Sequence, residues 1–222
     1  MTRIGVIDYG MGNRRSVEKA LERVGAVASI TREHDQLLAA DGLVLPGVGA
    51  FPVAMRNLQS LGLDQLLRAR VAGGTPLLGI CLGMQLLFDA SEELGVTAGL
   101  GLLEGEVTAL ETHDLRAPHI GWNEVRFERP SPLTAGLPEA GCAFYHVHSY
   151  AARPRDPADV VGITTYGEPF VTVAAHGQVF GVQFHPEKSS AHGLTLLSNF
   201  VSLCAREQGP GRGAAPTPAT AA

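Results

Sequence analysis

Apolar and polar positions alternate in blocks from the N-terminus to Gly105. Continuous apolar runs predict buried strands, and apolar residues spaced three or four positions apart predict helices between them. The predicted strands cover residues 3–9, 27–31, 42–45 and 76–80, and the predicted helices cover residues 16–24, 51–58, 63–72 and 82–90. Gly25 follows the first helix, where a glycine commonly ends a helix in a left-handed conformation. Strands that alternate with helices predict a mostly parallel sheet that helices cover on both faces.

After Gly105 the pattern becomes richer in β-branched and aromatic residues. It predicts strands at 106–110, 124–127, 143–150, 160–166, 170–175 and 179–184, and a last helix at 191–206. We expect these strands to add antiparallel edges to the sheet. Residues 209–222 are Gly, Pro, Ala and Thr with one Arg, and such a stretch buries little apolar surface. We therefore predict one domain at 1–208 and a disordered tail at 209–222.

The composition limits the classes of function. The chain has 222 residues, 45% of them hydrophobic, which is enough for one α/β domain with a substantial core. The net charge of −5 and the lack of a basic stripe argue against a nucleic acid partner. The three cysteines, at 81, 142 and 204, are irregularly spaced, which is typical of the reducing cytoplasm. With neither a signal peptide pattern nor an apolar run of about 18 residues, we expect a cytoplasmic protein without a membrane span.

A cysteine lies where a predicted strand meets a predicted helix. The apolar run at 76–80 leads into Cys81, and the helical pattern starts at the next residue, within the sequence Gly79-Ile80-Cys81-Leu82-Gly83. Glycines on both sides let the backbone turn sharply, as in a nucleophile elbow. Helix-end amides then favour the thiolate. The same spacing also fits a small buried cysteine between packing glycines, so this segment alone leaves both interpretations open.

A histidine and a glutamate at the end of another predicted strand favour the nucleophile. His185 and Glu187 follow the strand at 179–184 and are two positions apart, so in extended chain their side chains point to the same side. Pro186 is expected to keep this segment extended. Glu187 can then orient His185, and His185 can take the proton of Cys81, which gives a nucleophile, a base and an orienting acid. The alternative for the pair is a strand end with two solvated polar groups.

Acyl transfer also needs donors for the developing oxyanion. The amide of Leu82, just after the nucleophile, is one candidate. The loop Pro46-Gly47-Val48-Gly49 follows the predicted strand at 42–45, so the amide of Val48 or Gly49 is the second candidate. A plain turn has the same composition, but α/β sites gather at the carboxyl ends of parallel strands, which favours a functional loop.

These segments carry a family resemblance. The blocks Pro46–Phe51, Gly79–Gln85 and His185–Ser190 resemble the class I (triad) glutamine amidotransferases. The blocks Asp8–Asn13, Pro118–Asn123 and Val147–Tyr150 are similar to those of one subfamily, whose members supply ammonia for histidine biosynthesis. The blocks run in the family's order from residue 8 to residue 190. The resemblance implies a flavodoxin-like α/β fold. Two positions depart from the expected pattern, Arg14, where an aliphatic residue is common, and His146, where an aromatic residue is usual.

The resemblance also implies an activity. Cys81 would attack the carboxamide of L-glutamine and His185 would serve the leaving ammonia, without any cofactor or metal. Gly49 and Gln85 would hold the glutamine, together with the backbone of Ser149 and Tyr150. The ammonia would pass to a separate (βα)₈-barrel cyclase subunit in a heterodimer. By the same analogy, the docking surface around the mouth of the site would include Asn13, Trp122, Tyr145 and Lys188.

Two other functions fit the same fold. One is a glutaminase subunit of another synthase, for anthranilate, aminodeoxychorismate or pyridoxal phosphate. The loop at 46–49 and the Gly-Trp-Asn sequence at 121–123 argue against it. The other is a regulatory module without catalysis, which the complete Cys-His-Glu set argues against.

Two further signals are weak. The sequence Gly10-Met11-Gly12 lacks the third glycine of a dinucleotide-binding loop, because Arg15 occupies its place. His146 and His148 lie on one side of a predicted strand, but no ligand spacing typical of zinc accompanies them.

Overall fold

The computed structural model describes residues 1–206, so the predicted tail at 209–222 lies outside the described residues. Within residues 1–206 the strands are β1 Arg3–Ile7, β2 Val27–Thr31, β3 Gly42–Gly47, β4 Leu77–Cys81, β5 Ala90–Ser91, β6 Thr97–Ala98, β7 Gly105–Ala109, β8 His119–Phe127, β9 Cys142–His148, β10 Tyr150–Pro154, β11 Val160–Tyr166, β12 Glu168–His176 and β13 Val179–Val182. The α-helices are α1 Arg14–Arg23, α2 His34–Leu38, α3 Phe51–Ser60, α4 Leu63–Ala72, α5 Leu82–Leu86 and α6 Ser190–Arg206.

Five parallel strands form the centre of the sheet, in the order β2-β1-β3-β4-β13. β3, β4 and β13 are apolar in continuous runs and buried along their whole length, whereas the edge strand β2 is only partly buried. Such runs suit strands that are covered on both faces. The predicted α/β fold with a mostly parallel central sheet is confirmed.

Antiparallel strands extend the sheet beyond β13. β12 pairs with β13 and with β10, and β10 pairs with β7. β11 joins β12 to β8, which pairs in turn with β9. The prediction that antiparallel strands follow Gly105 is therefore confirmed.

The hydrophobic core has two layers, one on each face of the sheet. On one face, Leu21 of α1 and Phe200 of α6 pack with Phe144 and Phe184. On the other face lie apolar side chains of α3, α4 and α5, with Phe51, Leu58, Leu67 and Met84 among them. Within residues 1–206, no helix combines the length and apolar character that crossing a bilayer requires.

Two predicted elements differ from the structure, and three short elements of the structure were not predicted. The helix predicted at 82–90 ends at Leu86, because the carbonyls of Leu86 and Leu87 accept hydrogen bonds from amides in the segment 100–103. The strand predicted at 143–150 is two strands, β9 and β10, which meet at Ser149 and pair with different neighbours. The short elements α2, β5 and β6 were not predicted, since so few residues show no periodicity.

Candidate active site

Three parallel strands deliver the predicted catalytic residues to one edge of the sheet. β4 ends at Cys81, β3 ends beside it at Gly47, and β13 leads into His185. A cavity of about 330 Å³ opens there. Its walls include nine of the predicted site residues, Val48, Gly49, Cys81, Leu82, Gln85, Ser149, Tyr150, His185 and Lys188. A larger groove of about 490 Å³ lies at 127–139, but no cysteine or histidine lines it.

The turn at Cys81 has the backbone of a nucleophile elbow. Cys81 has φ 54° and ψ −112°, a combination that L residues rarely adopt. The neighbouring glycines make room for it: a Cβ on Gly83 would lie 1.8 Å from the carbonyl oxygen of Leu45, and a Cβ on Gly79 would lie 2.6 Å from that of Gly83. The elbow is a strained conformation that close backbone packing enforces.

The three triad candidates are in contact. His185 hydrogen-bonds with Cys81 on one side, and its Nδ1 lies 2.9 Å from Oε1 of Glu187 on the other. The side chains of His185 and Glu187 are 3% and 1% exposed. Burial lowers the pKa of His185, but its contacts with Cys81 and Glu187 outweigh that effect and raise the pKa to about 9. His185 is therefore protonated at neutral pH and holds its positive charge beside the sulfur of Cys81.

The expected extended conformation of this segment is wrong. Pro186–Lys188 forms a 3₁₀ turn, in which Pro186 occupies the first turn and Lys188 N donates to His185 O. The fixed φ of proline suits such a helical start as well as it suits extended chain. Ser189 Oγ also donates to the carbonyl oxygen of His185, at 2.7 Å. The turn, rather than extended chain, brings the carboxylate of Glu187 to the imidazole.

The sulfur of Cys81 has two further polar neighbours. Its Sγ lies 3.6 Å from the carbonyl oxygen of Val147 and 3.7 Å from Nε2 of Gln183. Gln183 is completely buried, and its Oε1 accepts a hydrogen bond from Nε2 of Gln85 at 3.0 Å. Gln183 was not recognised from the sequence, where it reads as an inner position of a strand.

The loop after β3 lies against the elbow. The hydroxyl of Tyr9 donates to the carbonyl oxygen of Pro46 at 2.8 Å, and a Cβ on Gly47 would lie 2.6 Å from that hydroxyl. Burial, with the nearby Cys81, raises the pKa of Tyr9, so the hydroxyl keeps its proton. Gly49 has φ 114°, which favours glycine, and it lines the cavity with Val48. The tyrosine thus holds the end of β3, from which the loop with two of the oxyanion candidates begins.

A carboxylate that the sequence analysis missed also lines the cavity. Glu93 lies between β5 and β6, and its Oε2 accepts a hydrogen bond from the amide of Phe51 at 2.7 Å. The anion therefore caps the start of α3, where negative charge is stabilised. No helix or strand pattern surrounds this residue, so nothing local in the sequence indicated it.

The four predicted interface residues lie near the cavity. Trp122 is 55% exposed and packs edge-on against Tyr145, with ring centroids 6.2 Å apart. Lys188 Nζ lies 5.9 Å from the centre of the Tyr145 ring, and Lys188 also lines the cavity. Asn13 contacts the triad, because its Nδ2 donates to Oε1 of Glu187 at 3.2 Å.

Three histidines form a buried cluster beside the cavity. The rings of His119 and His146 stack with centroids 5.0 Å apart, and His119 Nδ1 lies 3.0 Å from His148 Nε2. Burial lowers the pKa of His119 to about 4, of His146 to about 2 and of His148 to about 3. The three rings are therefore neutral. Among residues 1–206, no group of three or more His, Cys, Asp or Glu is placed to hold a metal ion.

Comparison with known proteins identifies the family. Residues 5–203 match the family model described as glutamine amidotransferase class-I. The chain belongs to the class-I glutamine amidotransferase family. The free thiols Cys142 and Cys204 are buried, and burial raises their pKa values to about 11 and about 12. Cys81 alone among the three thiols lines the cavity of this amidotransferase.

Individual relatives and structures agree with this family. The chain is 53% identical over 203 residues to the imidazole glycerol phosphate synthase subunit HisH of Moorella thermoacetica, which covers 91% of this chain and 96% of the relative. It is 50% identical over 205 residues to the protein of the same name from Geobacillus kaustophilus, covering 90% and 96%. A crystal structure of a glutamine amidotransferase superposes with a TM-score of 0.72 at 22% identity, covering 91% and 98%, and shares the fold.

Proposed function

We propose that this amidotransferase is the glutaminase subunit of an imidazole glycerol phosphate synthase and hydrolyses L-glutamine to glutamate and ammonia. The observation that carries the proposal is the contact of Cys81 with His185, which in turn contacts Glu187, at the wall of a cavity. The relatives of that name, about half identical along about nine-tenths of the chain, support this subtype within the family.

The first half of the reaction makes a thioester. The sulfur of Cys81 attacks the side-chain carboxamide carbon of glutamine, and the electron pair of the C=O bond moves to oxygen. Amides of Leu82 and of Val48 or Gly49 stabilise that oxyanion. The C–N bond then breaks as His185 gives its proton to the leaving nitrogen. Ammonia and a γ-glutamyl thioester result, and the raised pKa of His185 means that this proton is present at neutral pH.

The second half releases glutamate. A water molecule attacks the thioester carbon while His185 takes its proton. The C–S bond breaks, glutamate leaves, and the imidazolium and thiolate are restored. Glu187 stabilises the imidazolium through Nδ1 in both halves. Side chains and water supply every group that these steps use, so the proposal includes no cofactor and no metal.

The charges around the cavity suit an amino acid substrate. Glu93 is a carboxylate of the wall and pairs with the α-ammonium group of glutamine. Gly49, Gln85 and the backbone of Ser149 and Tyr150 hold the rest of the substrate. Gln85 is buried on the wall, with its Nε2 3.0 Å from the carbonyl oxygen of Tyr150.

The ammonia passes to a partner. We propose a (βα)₈-barrel cyclase subunit, bound as a heterodimer at the rim of Asn13, Trp122, Tyr145 and Lys188. An exposed tryptophan beside a tyrosine is typical of a protein interface, and Lys188 belongs to both the rim and the cavity wall. We place the complex in the cytoplasm, with residues 1–208 as one domain.

Covalent labelling tests the proposal. Diazo-oxonorleucine, a glutamine analogue that alkylates the nucleophile, is added to the full chain together with the cyclase and its nucleotide ligand. Mass spectrometry should find one adduct, on the peptide that contains Cys81. Cys81→Ala should abolish the adduct, whereas Cys142→Ser should keep it, because the Cys142 thiol is buried outside the cavity.

Two results would contradict the proposal. Failure of the wild-type complex to react would indicate a regulatory module without catalysis. Labelling that depends on the synthase partner for anthranilate, aminodeoxychorismate or pyridoxal phosphate, and not on the cyclase, would assign the chain to another pathway.

A further inference from the structure

A continuous line of hydrogen bonds runs from the half-buried Asn123 of β8 to the sulfur of Cys81, and the other side chains in it are buried. It consists of Asn123, His119, His148, the carbonyl of Tyr150, Gln85 and Gln183, and we name it the buried polar chain. His119 and His148 are 2% and 6% exposed, and Gln85 and Gln183 are 5% and 0% exposed. Polar side chains at such depth are costly unless each is paired, so their arrangement is closely determined.

The hydrogen bonds fix the tautomers of the two imidazoles. The carbonyl oxygen of Tyr150 only accepts, so His148 Nδ1, 2.9 Å away, carries a proton. Because His148 is neutral, its Nε2 accepts, and the proton comes from His119 Nδ1 at 3.0 Å. His119 Nε2 then accepts from Nδ2 of Asn123 at 3.3 Å. The orientation of the Asn123 amide is itself fixed, because its Oδ1 accepts from Glu124 N at 2.8 Å.

The two glutamines continue the line to the nucleophile. Gln85 Nε2 has two protons, and its two partners are the carbonyl oxygen of Tyr150 and Oε1 of Gln183, each at 3.0 Å. With Oε1 of Gln183 used as an acceptor, its Nε2 is the group that faces Cys81 Sγ, at 3.7 Å. An N–H donor aimed at sulfur stabilises negative charge that develops on it.

The histidine part and the glutamine part of the buried polar chain meet at the carbonyl of Tyr150. It accepts from both His148 and Gln85, at the corner where β9 gives way to β10. Ser149 and Tyr150 line the cavity at this corner. Two donors on one carbonyl restrict rotation of the neighbouring peptide planes, so the backbone groups that face the substrate keep one orientation.

We propose that the buried polar chain orders the glutamine site, with His119 and His148 as positioning residues for the Tyr150 backbone and Gln183 as a catalytic residue that donates to the Cys81 sulfur. This inference rests on the glutaminase function proposed above. It assigns different effects to the two ends of the buried polar chain. The histidines determine how well glutamine binds, and Gln183 determines how readily the sulfur reacts.

The cluster contains its own control residue. His146 is fully buried and stacks on His119, but its hydrogen bonds go to the carbonyl oxygen of Phe144 at 3.1 Å and to Oγ1 of Thr172 at 2.9 Å. It shares the packing of the cluster without belonging to the buried polar chain. His119 does not line the cavity. A substitution there therefore affects glutamine binding only through the residues that His119 contacts, such as His148.

The positioning role of His119 is tested by steady-state kinetics of the complex with the cyclase. His119→Phe removes the donor to His148, whereas His119→Asn can place an amide N–H near the position of Nδ1. We expect His119→Phe to raise KM for glutamine about fivefold with a smaller change in kcat, as for loss of one hydrogen bond in binding. His119→Asn should recover most of that loss, and His146→Phe should leave KM within about twofold while lowering the thermal midpoint. Equal KM values for His119→Phe and His146→Phe, or no recovery by His119→Asn, would overturn the positioning role.

The role of Gln183 is tested on the full-length protein, without the cyclase and without substrate. Alkylation of Cys81 by iodoacetamide is followed by mass spectrometry of its peptide across a range of pH, for wild type and for Gln183→Met, a variant of similar length without a donor. We expect the half-maximal rate to move to higher pH in Gln183→Met, while the rates at Cys142 and Cys204 stay unchanged. An unmoved profile would overturn the role of Gln183. This readout needs no turnover, so a wild-type protein that failed to hydrolyse glutamine would contradict the proposed function and leave this result interpretable.

Discussion

The side-chain amide of Asn13 donates to Oε1 of Glu187 at 3.2 Å, across 174 positions of sequence. The same oxygen lies 2.9 Å from His185 Nδ1, while Oε2 of Glu187 is buried without a hydrogen-bond partner among the described residues. Asn13 and His185 thus share one oxygen, and Asn13 restrains the carboxylate that contacts the His185 imidazole. Asp8 in turn pairs with Arg14 and Arg32, which fixes the loop before Asn13.

We predict that Asn13→Leu lowers kcat for glutamine about fivefold in the complex with the cyclase, because a freer Glu187 orients His185 less well. Asn199→Leu is the control. Its amide also makes hydrogen bonds, to the carbonyls of Leu133 and Ala135, but it does not line the cavity. Loss of hydrogen bonds as such would affect both variants, so equal kcat values for the two would contradict the role of Asn13.

The elbow gives a prediction about stability. Gly83→Ala would place a Cβ 1.8 Å from the carbonyl oxygen of Leu45, a backbone atom that cannot move aside without shifting β3. We expect a loss of about 3 kcal/mol or more in the free energy of unfolding, measured by urea titration. Gly73→Ala provides the comparison, because its Cβ would lie 3.4 Å from its nearest neighbours at the end of α4. A Gly83→Ala protein as stable as Gly73→Ala would show that the elbow tolerates a side chain.

Alkaline pH should reduce the contribution of protonated His185 to the free energy of unfolding. Burial lowers the pKa of His185, but Cys81 and Glu187 raise it to about 9, above the 6.5 of an unfolded histidine. The folded state therefore binds the proton more tightly, so this stabilisation is complete below pH 6.5 and disappears as the pH rises through 9. We expect wild type to lose on the order of 2 kcal/mol more than His185→Gln between pH 7 and pH 9.5, in urea titrations. Parallel losses in the two proteins would contradict the raised pKa.

The buried histidines predict the opposite behaviour in acid. Burial lowers the pKa of His146 to about 2, so below pH 6.5 the unfolded state takes up a proton that the folded state rejects. Stability therefore falls as the pH falls. His146→Phe removes this uptake, and its free energy of unfolding should decrease less steeply between pH 5.5 and 4.5, by about 1.4 kcal/mol per pH unit. If the two slopes were the same, His146 would be protonated in the folded protein.

Apart from the short α2, the parallel half of the fold could be predicted from the sequence because its strands and helices carry local patterns of apolar residues. The strand at 27–31 and the helix at 63–72 match β2 and α4 at both ends. The elbow could also be predicted, since glycines at 79 and 83 permit the close backbone packing of a sharp turn around Cys81.

The predictions that failed concern elements whose bounds depend on residues distant in sequence. The helix after Cys81 ends at Leu86 because amides of residues 100–103 donate hydrogen bonds to its last carbonyls. The local sequence pattern does not indicate these hydrogen bonds. The strand at 143–150 breaks at Ser149 because the two halves pair with different strands. Proline at 186 fits both extended chain and a 3₁₀ turn, so the residue type could not decide between them.

The site shows the same division. Cys81, His185 and Glu187 follow strand ends, so topology alone indicates that they lie at one edge. Gln183 and Glu93 could not be found in this way. Gln183 looks like any inner strand position, and Glu93 lies between two strands of two residues each. Their partners, Cys81 and the amide of Phe51, are 102 and 42 positions away.

The central claim is that the sulfur of Cys81 hydrolyses glutamine with His185 for a cyclase partner. Glutamate release from glutamine, measured for wild type and Cys81→Ser with and without the cyclase and its nucleotide ligand, tests it most directly. We expect weak activity of wild type alone, strong activation by the loaded cyclase, and a loss of about 10³-fold or more in Cys81→Ser. A Cys81→Ser complex that released glutamate at the wild-type rate would contradict the claim.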